Sequence, residues 1–309
     1  MLRYYQFSSK LAVSLTATEK QYTEYFDSEY WFAKTNKKII VDVELRVIDS
    51  LNNRSDNPNI VFRSVKFKNL FWFEYQIDFS ATPIQITVKR HFIDRIYFKA
   101  CGPFIQTNIL EPVLYYVAVH KKQYLLHAAT IVKDAKATCI VGKGGAGKTM
   151  MSLNKCLQEG YAFMGDDLIL VDSTKREVFW FPRPLHLFGY NLFKIPTPQG
   201  VKGQFLFWRL ATIIRLKDCV RFLLKIFTGQ KMLISTRIDP RVLYPKMQLV
   251  KSAKLDHIEA LKMNPKNLVQ EIERASDLRE DLVTLIKKLP KTKQEEFYQK
   301  EGCVLISIC

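Results

Sequence analysis

Gly142, Gly147, Lys148 and Thr149 stand at the spacing G-x-x-x-x-G-K-[ST], with Lys143, Gly144, Gly145 and Ala146 between the first two. The pattern suits phosphate for a physical reason. Glycine backbones bend freely enough to turn successive N–H groups toward an anion, and a helix that follows adds about half a positive charge at its N-terminus. Lys148 would then reach the β- and γ-phosphates, and the Thr149 hydroxyl would ligate Mg²⁺. A Gly-rich turn could share this spacing, so the flanks matter. Ala137-Thr-Cys-Ile-Val141 reads as a short buried strand, and 148–159 reads as a helix with Leu153 and Leu157 in its stripe and Gly160 at its end.

Two further constellations lie near this loop in sequence. Tyr161-Ala-Phe-Met164 reads as a buried strand that runs into Gly165-Asp166-Asp167. Adjacent carboxylates at the end of a buried strand suit metal and proton chemistry, whereas in a solvent turn they would be inert. On the other side, residues 124–132 and the strand before the loop are joined by Lys133-Asp-Ala-Lys136, short enough to make them antiparallel neighbours. Pairing about the centre of that turn sets His127 opposite Gly142. A lone histidine in an apolar strand is commonly a core residue, but this register makes His127 a site candidate as well. Arg183, Arg237 and Arg241 are candidates for stabilising a γ-phosphate, and the sequence does not rank them.

Leu126-His127-Ala-Ala-Thr-Ile-Val132, the loop 142–149 and Gly160-Tyr-Ala-Phe-Met-Gly-Asp166-Asp167 resemble, in order and spacing, the HPr kinase/phosphorylase-like proteins, a bacterial family of serine kinases. The resemblance spans residues 105–260 and is specific only at these motifs. It implies an α/β fold with a mixed-sheet, P-loop-containing nucleotide core like that of phosphoenolpyruvate carboxykinase. It further implies ATP and Mg²⁺ as cofactors, and transfer of the γ-phosphoryl to a serine hydroxyl on a protein or peptide. By match to the motifs, Asp166 takes the proton-transferring carboxylate and Asp167 the metal-side carboxylate, the two being exchangeable, with His127 beside them. The E-I-R-G motif of the HPr-specific enzymes is absent, and Arg183-Pro-Leu-His-Leu187 occupies the nearest region. HPr as substrate and the reverse phosphorylase reaction are therefore not implied. The chain looks closer to divergent relatives, some of which phosphorylate ribosomal precursor peptides. Competing classes are a nucleotide-binding regulator without phosphotransfer, a kinase of a small-molecule hydroxyl, and a nucleic-acid-linked ATPase, for which the sequence has no recognition motif.

The elements that must position these residues follow from composition and periodicity. With 309 residues, 48% of them hydrophobic, the chain can bury a sizeable core in one large or two modest domains. A net charge of +17 favours an anionic partner. The six cysteines form no C-x-x-C pair, no secretory h-region opens the chain, and no apolar run reaches membrane-span length; a cytoplasmic protein is expected. Residues 1–104 read as a β-rich region, an antiparallel sheet with runs at 41–47, 71–79 and 84–88 and a turn at 52–58. Residues 105–262 read as the catalytic core, opening on a helix over 109–120 with Asn108 and Glu111 as a capping box. Within it, 203–231 is a basic, aromatic-rich insertion, read as two helices broken near Asp218. It could dock a peptide, lie on an anionic membrane, or pack on the core with its charges outward. Residues 263–309 read as C-terminal helices: one over 267–289 with Ala275 and Leu278 in its stripe, ended by Pro290, then a short helix and an apolar tail at 304–308. An oligomer is compatible with all of this.

Overall fold

The structure, a computed structural model, describes the chain apart from residues 52–55, 68–70, 91–100, 182, 188–194, 199, 229–235 and 275–276. Part of the expected turn at 52–58, the end of the basic insertion and Ala275 thus lie outside the described residues, as does the side chain of Leu278.

Alternating residues build the first sheet. In β4 (Val43–Ile48), Val43, Leu45 and Val47 are buried while Glu44, Arg46 and Ile48 are partly exposed, the period-two pattern of a half-buried strand. It joins β1 (Leu2–Gln6), β2 (Ala12–Ala17), β3 (Lys34–Thr35), β5 (Ile60–Phe67), β6 (Phe71–Asp78) and β7 (Ile84–Lys89) in the order β3-β1-β2-β4-β7-β6-β5. The sheet is mixed rather than antiparallel, because β4 runs parallel to both β2 and β7. The physical reason is helix α1 (Lys20–Glu29), which carries the chain back after β2 so that β4 enters in the same direction; Tyr22 and Phe26 anchor that helix in the core.

A buried helix packs beside both sheets. It is helical from residue 101, winds as a π-helix over Ile105–Leu110, and continues as α2 (Glu111–His120). Residues 111–119 are buried on all sides, as for a helix inside a core. The expected capping box is not formed. The backbone is already helical at Leu110, the Asn108 amide donates to Asp281 (3.0 Å), and the Glu111 carboxylate pairs with a buried cation. Phe104 stacks on Phe73 of the first sheet at 4.1 Å, and Phe7 stacks on Phe181 beside the second at 4.6 Å. Each fully buried ring of this kind stabilises by about 1.5–3 kcal/mol, so one apolar core runs across both layers.

The second sheet carries the candidate residues. Its strands are β8 (Gln123–Leu126), β9 (Ala128–Lys133), β10 (Lys136–Val141), β11 (Ala162–Gly165), β12 (Ile169–Asp172), β13 (Glu177–Trp180) and β16 (Ser252–Ala260), in the order β11-β9-β10-β16-β13-β12-β8. Strand β16, which the sequence reading passed over, lies parallel to β10. Strands β8 and β9 stand far apart in that order yet are joined by His127 alone, so the sheet must curl until its ends approach. A two-stranded ribbon, β14 (Leu185–Leu187) with β15 (Thr236–Ile238), completes the β-structure among the described residues.

Helix α3 (Lys148–Gln158) follows β10. Helix α4 (Val201–Thr228) is one uninterrupted helix of 28 residues, not two. Asp218 does not break it because aspartate inside a helix costs only about 0.7 kcal/mol relative to alanine. Beyond α5 (Pro240–Leu243), the expected helix 267–289 is described as a 3₁₀ turn at Pro265–Asn267, α6 (Leu268–Arg274) and α7 (Asp277–Ile286), with 275–276 between the last two outside the described residues. The final helix α8 (Lys291–Ile308) is long and includes the apolar tail. Arg279 of α7 and Tyr115 of α2 meet on the buried Glu301 of α8 at 3.1 and 2.6 Å. No helix among the described residues is long and apolar enough to cross a membrane.

Candidate active site

Strand β10 ends at Val141, the Gly-rich loop follows, and α3 begins at Lys148, so the order strand, loop, helix start is present. Gly145 and Gly147 take positive φ (79° and 107°), where a side chain would be strained. A Cβ at Gly144, Gly145 or Gly147 would meet nothing within 4 Å, so their backbones face open space. Gly142 is different. A Cβ there would fall 2.7 Å from the Leu261 carbonyl oxygen, because Leu261 donates its N–H to Val141 (2.8 Å) where the chain leaves β16. The Lys148 ammonium is buried and donates to the Gly142 carbonyl at 2.8 Å, folded back across the loop.

Strand β11 delivers the two acids to this loop. The Thr149 hydroxyl, in the first turn of α3, lies 2.9 and 3.0 Å from the two carboxylate oxygens of Asp166. Asp166 is buried, and burial, followed by the charge of Asp167, pushes its pKa up to about 6 against the help of Thr149 and Lys148. Asp167 adopts φ 81°, a left-handed conformation that is uncommon for a residue with a side chain. This turn sends its carboxylate the other way, to within 3.5 Å of His127 Nδ1 and into an ion pair with Arg183. The β9–β10 ladder has the expected register and ends at Val141 paired with Ala128, the residues next to Gly142 and His127.

Behind Asp167 stands a buried polar chain. Arg183 is itself buried; its Nε donates to Glu111 Oε1 at 3.1 Å and its Nη2 to Oε2 of the same carboxylate, while its Nη1 donates to Asp167. Burial opposes the charge on Arg183, but Glu111 and Asp167 outweigh it and raise its pKa further. Glu111, fully buried, also accepts from Gln106 (2.8 Å) and from Tyr30 of the N-terminal region (3.0 Å). Gln106 accepts in turn from Tyr25 at 2.5 Å. Arg237 pairs with Glu29 (2.9 Å) in the same layer. The π-helical turn Ile105–Leu110 thus coincides with the place where Gln106 and Glu111 both reach this chain, in keeping with the use of π-turns at functional positions.

Of the predicted residues, the structure brings together Gly142 to Thr149, Asp166, Asp167, His127 and Arg183. It separates the other two arginines: Arg237 is one layer back, and Arg241 stands outside, paired with Asp239 at 2.5 Å and lying 3.5 Å over the Trp31 ring. From sequence, Asp166 takes the proton and Asp167 the metal, the two being exchangeable; in the structure Asp166 faces Thr149 and Asp167 faces His127 and Arg183. Glu111 was missed; its only signal was a glutamate in a helix that is otherwise apolar. The described residues contain no group of three metal-binding side chains. One hydroxyl and one carboxylate nevertheless suit Mg²⁺, which keeps several waters and takes further oxygens from phosphate. No protein-family model matches the chain, and no curated protein matches it in sequence.

Proposed function

We propose that the chain is a kinase that uses ATP and Mg²⁺ to phosphorylate a serine hydroxyl of a protein or peptide, on a P-loop core of the phosphoenolpyruvate-carboxykinase-like type. The observation that carries this reading is the split between the acids. Asp166 faces the Thr149 hydroxyl at the start of α3, while Asp167, one residue on, is held by His127 and Arg183 on the other side. Phosphoryl transfer uses a phosphate cradle, a metal to neutralise charge and a residue that positions or deprotonates the acceptor hydroxyl, and the Gly-rich loop, Asp166 and Asp167 support that division of roles.

In this reading the loop N–H groups and Lys148 hold the phosphates. Thr149 and Asp166 would hold Mg²⁺, whose contribution is to neutralise charge on the phosphate oxygens. Asp167 accepts the proton of the serine hydroxyl as the new O–P bond forms and the bond from the γ-phosphorus to the β–γ bridging oxygen breaks, releasing ADP. His127 and Arg183 fix one oxygen of Asp167 each, so the carboxylate has one orientation. Helix α3 contributes the positive end of its dipole to the transferred charge.

The two amide substitutions separate these roles. Asp167→Asn should leave Mg·ATP affinity near that of the wild type and lower turnover by about 10²–10⁴, the usual worth of a general base. Asp166→Asn should instead raise the Mg²⁺ concentration needed for ATP binding. The measurements are calorimetric ATP titration at several Mg²⁺ concentrations and transfer of radiolabelled γ-phosphate to a serine-containing peptide library. Wild-type transfer by Asp167→Asn, or no ATP binding by the unsubstituted protein, would overturn the assignment.

A further inference from the structure

Helix α4 carries apolar side chains beyond the side it buries. Phe207, Leu210, Ala211 and Ile214 are buried against the body of the protein. Phe205, Trp208 and Leu216 lie away from that stripe and are exposed, as are Phe222 and Ile226 in the C-terminal half of the helix, with Phe205, Leu216, Phe222 and Ile226 each more than 60% accessible. A helix that only covers a core needs the buried side chains and not the exposed ones. At 1.5 Å per residue the exposed ones form a stripe about 30 Å long, the scale of a binding surface rather than of scattered exposed side chains.

The charge on the helix limits what can cover this stripe. Its 28 residues include Lys202, Arg209, Arg215, Lys217, Arg221 and Lys225 against Asp218 as the single acid, in a chain of net charge +17. Arg209 and Arg215 are exposed among the apolar side chains, and the Arg209 guanidinium sits 5.8 Å from the Phe205 ring centre. A second copy of the chain would bring like charges together. A partner protein would have to be acidic to match the net positive charge of the helix. A lipid surface with anionic headgroups supplies both requirements at once: acyl chains for the aromatic stripe, and phosphates for long basic side chains that reach outward from it.

We infer that this face of α4 docks on an anionic membrane, with the helix axis in the headgroup plane. The helix lies on the bilayer rather than spanning it, since its charges exclude a crossing segment. Docking would bring the protein to the membrane whatever reaction it performs, and its test uses no phosphoryl transfer.

The experiment is co-sedimentation of the full chain with vesicles of phosphatidylcholine alone or mixed with phosphatidylglycerol. Binding is expected to the mixed vesicles only, and to weaken as salt is added. Arg209→Gln with Arg215→Gln should lower partitioning about 25-fold, at about fivefold for each cation near the surface. Trp208→Gln, Leu216→Gln and Phe222→Gln together should lower it at least as far, and because these side chains are exposed the thermal melt should be unchanged. Should the triple variant fold poorly, quenching of the wild-type fluorescence by brominated lipid, lost in Trp208→Phe, gives the same answer. The inference is overturned if the chain ignores anionic vesicles at low salt, if the triple variant binds them as the wild type does, or if the triple variant instead abolishes a self-association seen without vesicles.

Discussion

Loss of the Glu111 carboxylate should be the costliest single change in the layer that supports the site. Glu111 is fully buried and takes two hydrogen bonds from Arg183, with Tyr30 and Gln106 as further donors. In Glu111→Gln one acceptor oxygen becomes an amide NH₂ that cannot accept, and the buried Arg183 is left with Asp167 as its remaining counter-charge. Removing one partner of a buried ion pair costs about 3–5 kcal/mol, most of it the burden of the charge left behind. Arg183→Met should cost a similar amount by stranding Glu111. If that is the physics, removing both charges should cost much less than the sum: Glu111→Gln with Arg183→Met should show a favourable coupling of about 2–3 kcal/mol. The assay is urea denaturation of the four proteins of the cycle, followed by fluorescence and circular dichroism. Single substitutions costing under about 1 kcal/mol, or a strictly additive double, would refute the claim that a desolvated pair organises this layer.

Lys148→Ala should weaken ATP binding at least tenfold on calorimetric titration and abolish transfer, because its buried ammonium is bonded to the loop itself; normal ATP affinity in this variant would remove the phosphate-cradle reading. Acid should loosen the joint between the N-terminal sheet and the second sheet. Asp172 is buried, which by itself would raise its pKa, but Lys10 (2.7 Å), the Thr174 hydroxyl, the Lys175 N–H and Gln123 together hold its carboxyl down at about 2. A folded pKa below the unfolded value of about 4 means stability that is present above pH 4 and lost as pH falls from about 4 to about 2. That slope should be reduced in Asp172→Asn, as measured by urea melts across the window, and an unchanged slope would show that other groups carry it.

Much of the site is legible in sequence because it obeys short-range rules. The loop spacing, the helix after it and the β9–β10 register all follow from residues within about ten positions of one another, and a symmetric turn at Lys133 to Lys136 fixes the pairing. What sequence could not supply depends on distant partners. The ion pair Glu111–Arg183 joins residues 72 positions apart, and a glutamate near a helix start reads locally as a cap. The parallel entries of β4 and β7 into the first sheet depend on how α1 and the β5–β6 hairpin return the chain, which no periodicity encodes. That Asp166 and Asp167 face different partners goes with a left-handed backbone at Asp167, a conformation uncommon for a residue with a side chain. Asp218 misled in the opposite sense, since a single unfavourable residue does not outweigh a helix whose buried stripe is intact.

The one-residue step at His127 has a consequence for how such a chain can change over evolutionary time. Strand β8 is registered on β12 and strand β9 on both β10 and β11, and only His127 lies between them. A residue gained or lost anywhere in 123–133 would turn every side chain on one of these strands to the opposite face. Length variation in this half of the molecule is therefore confined to turns such as 173–176, while the segment that carries the histidine can drift in composition but not in length.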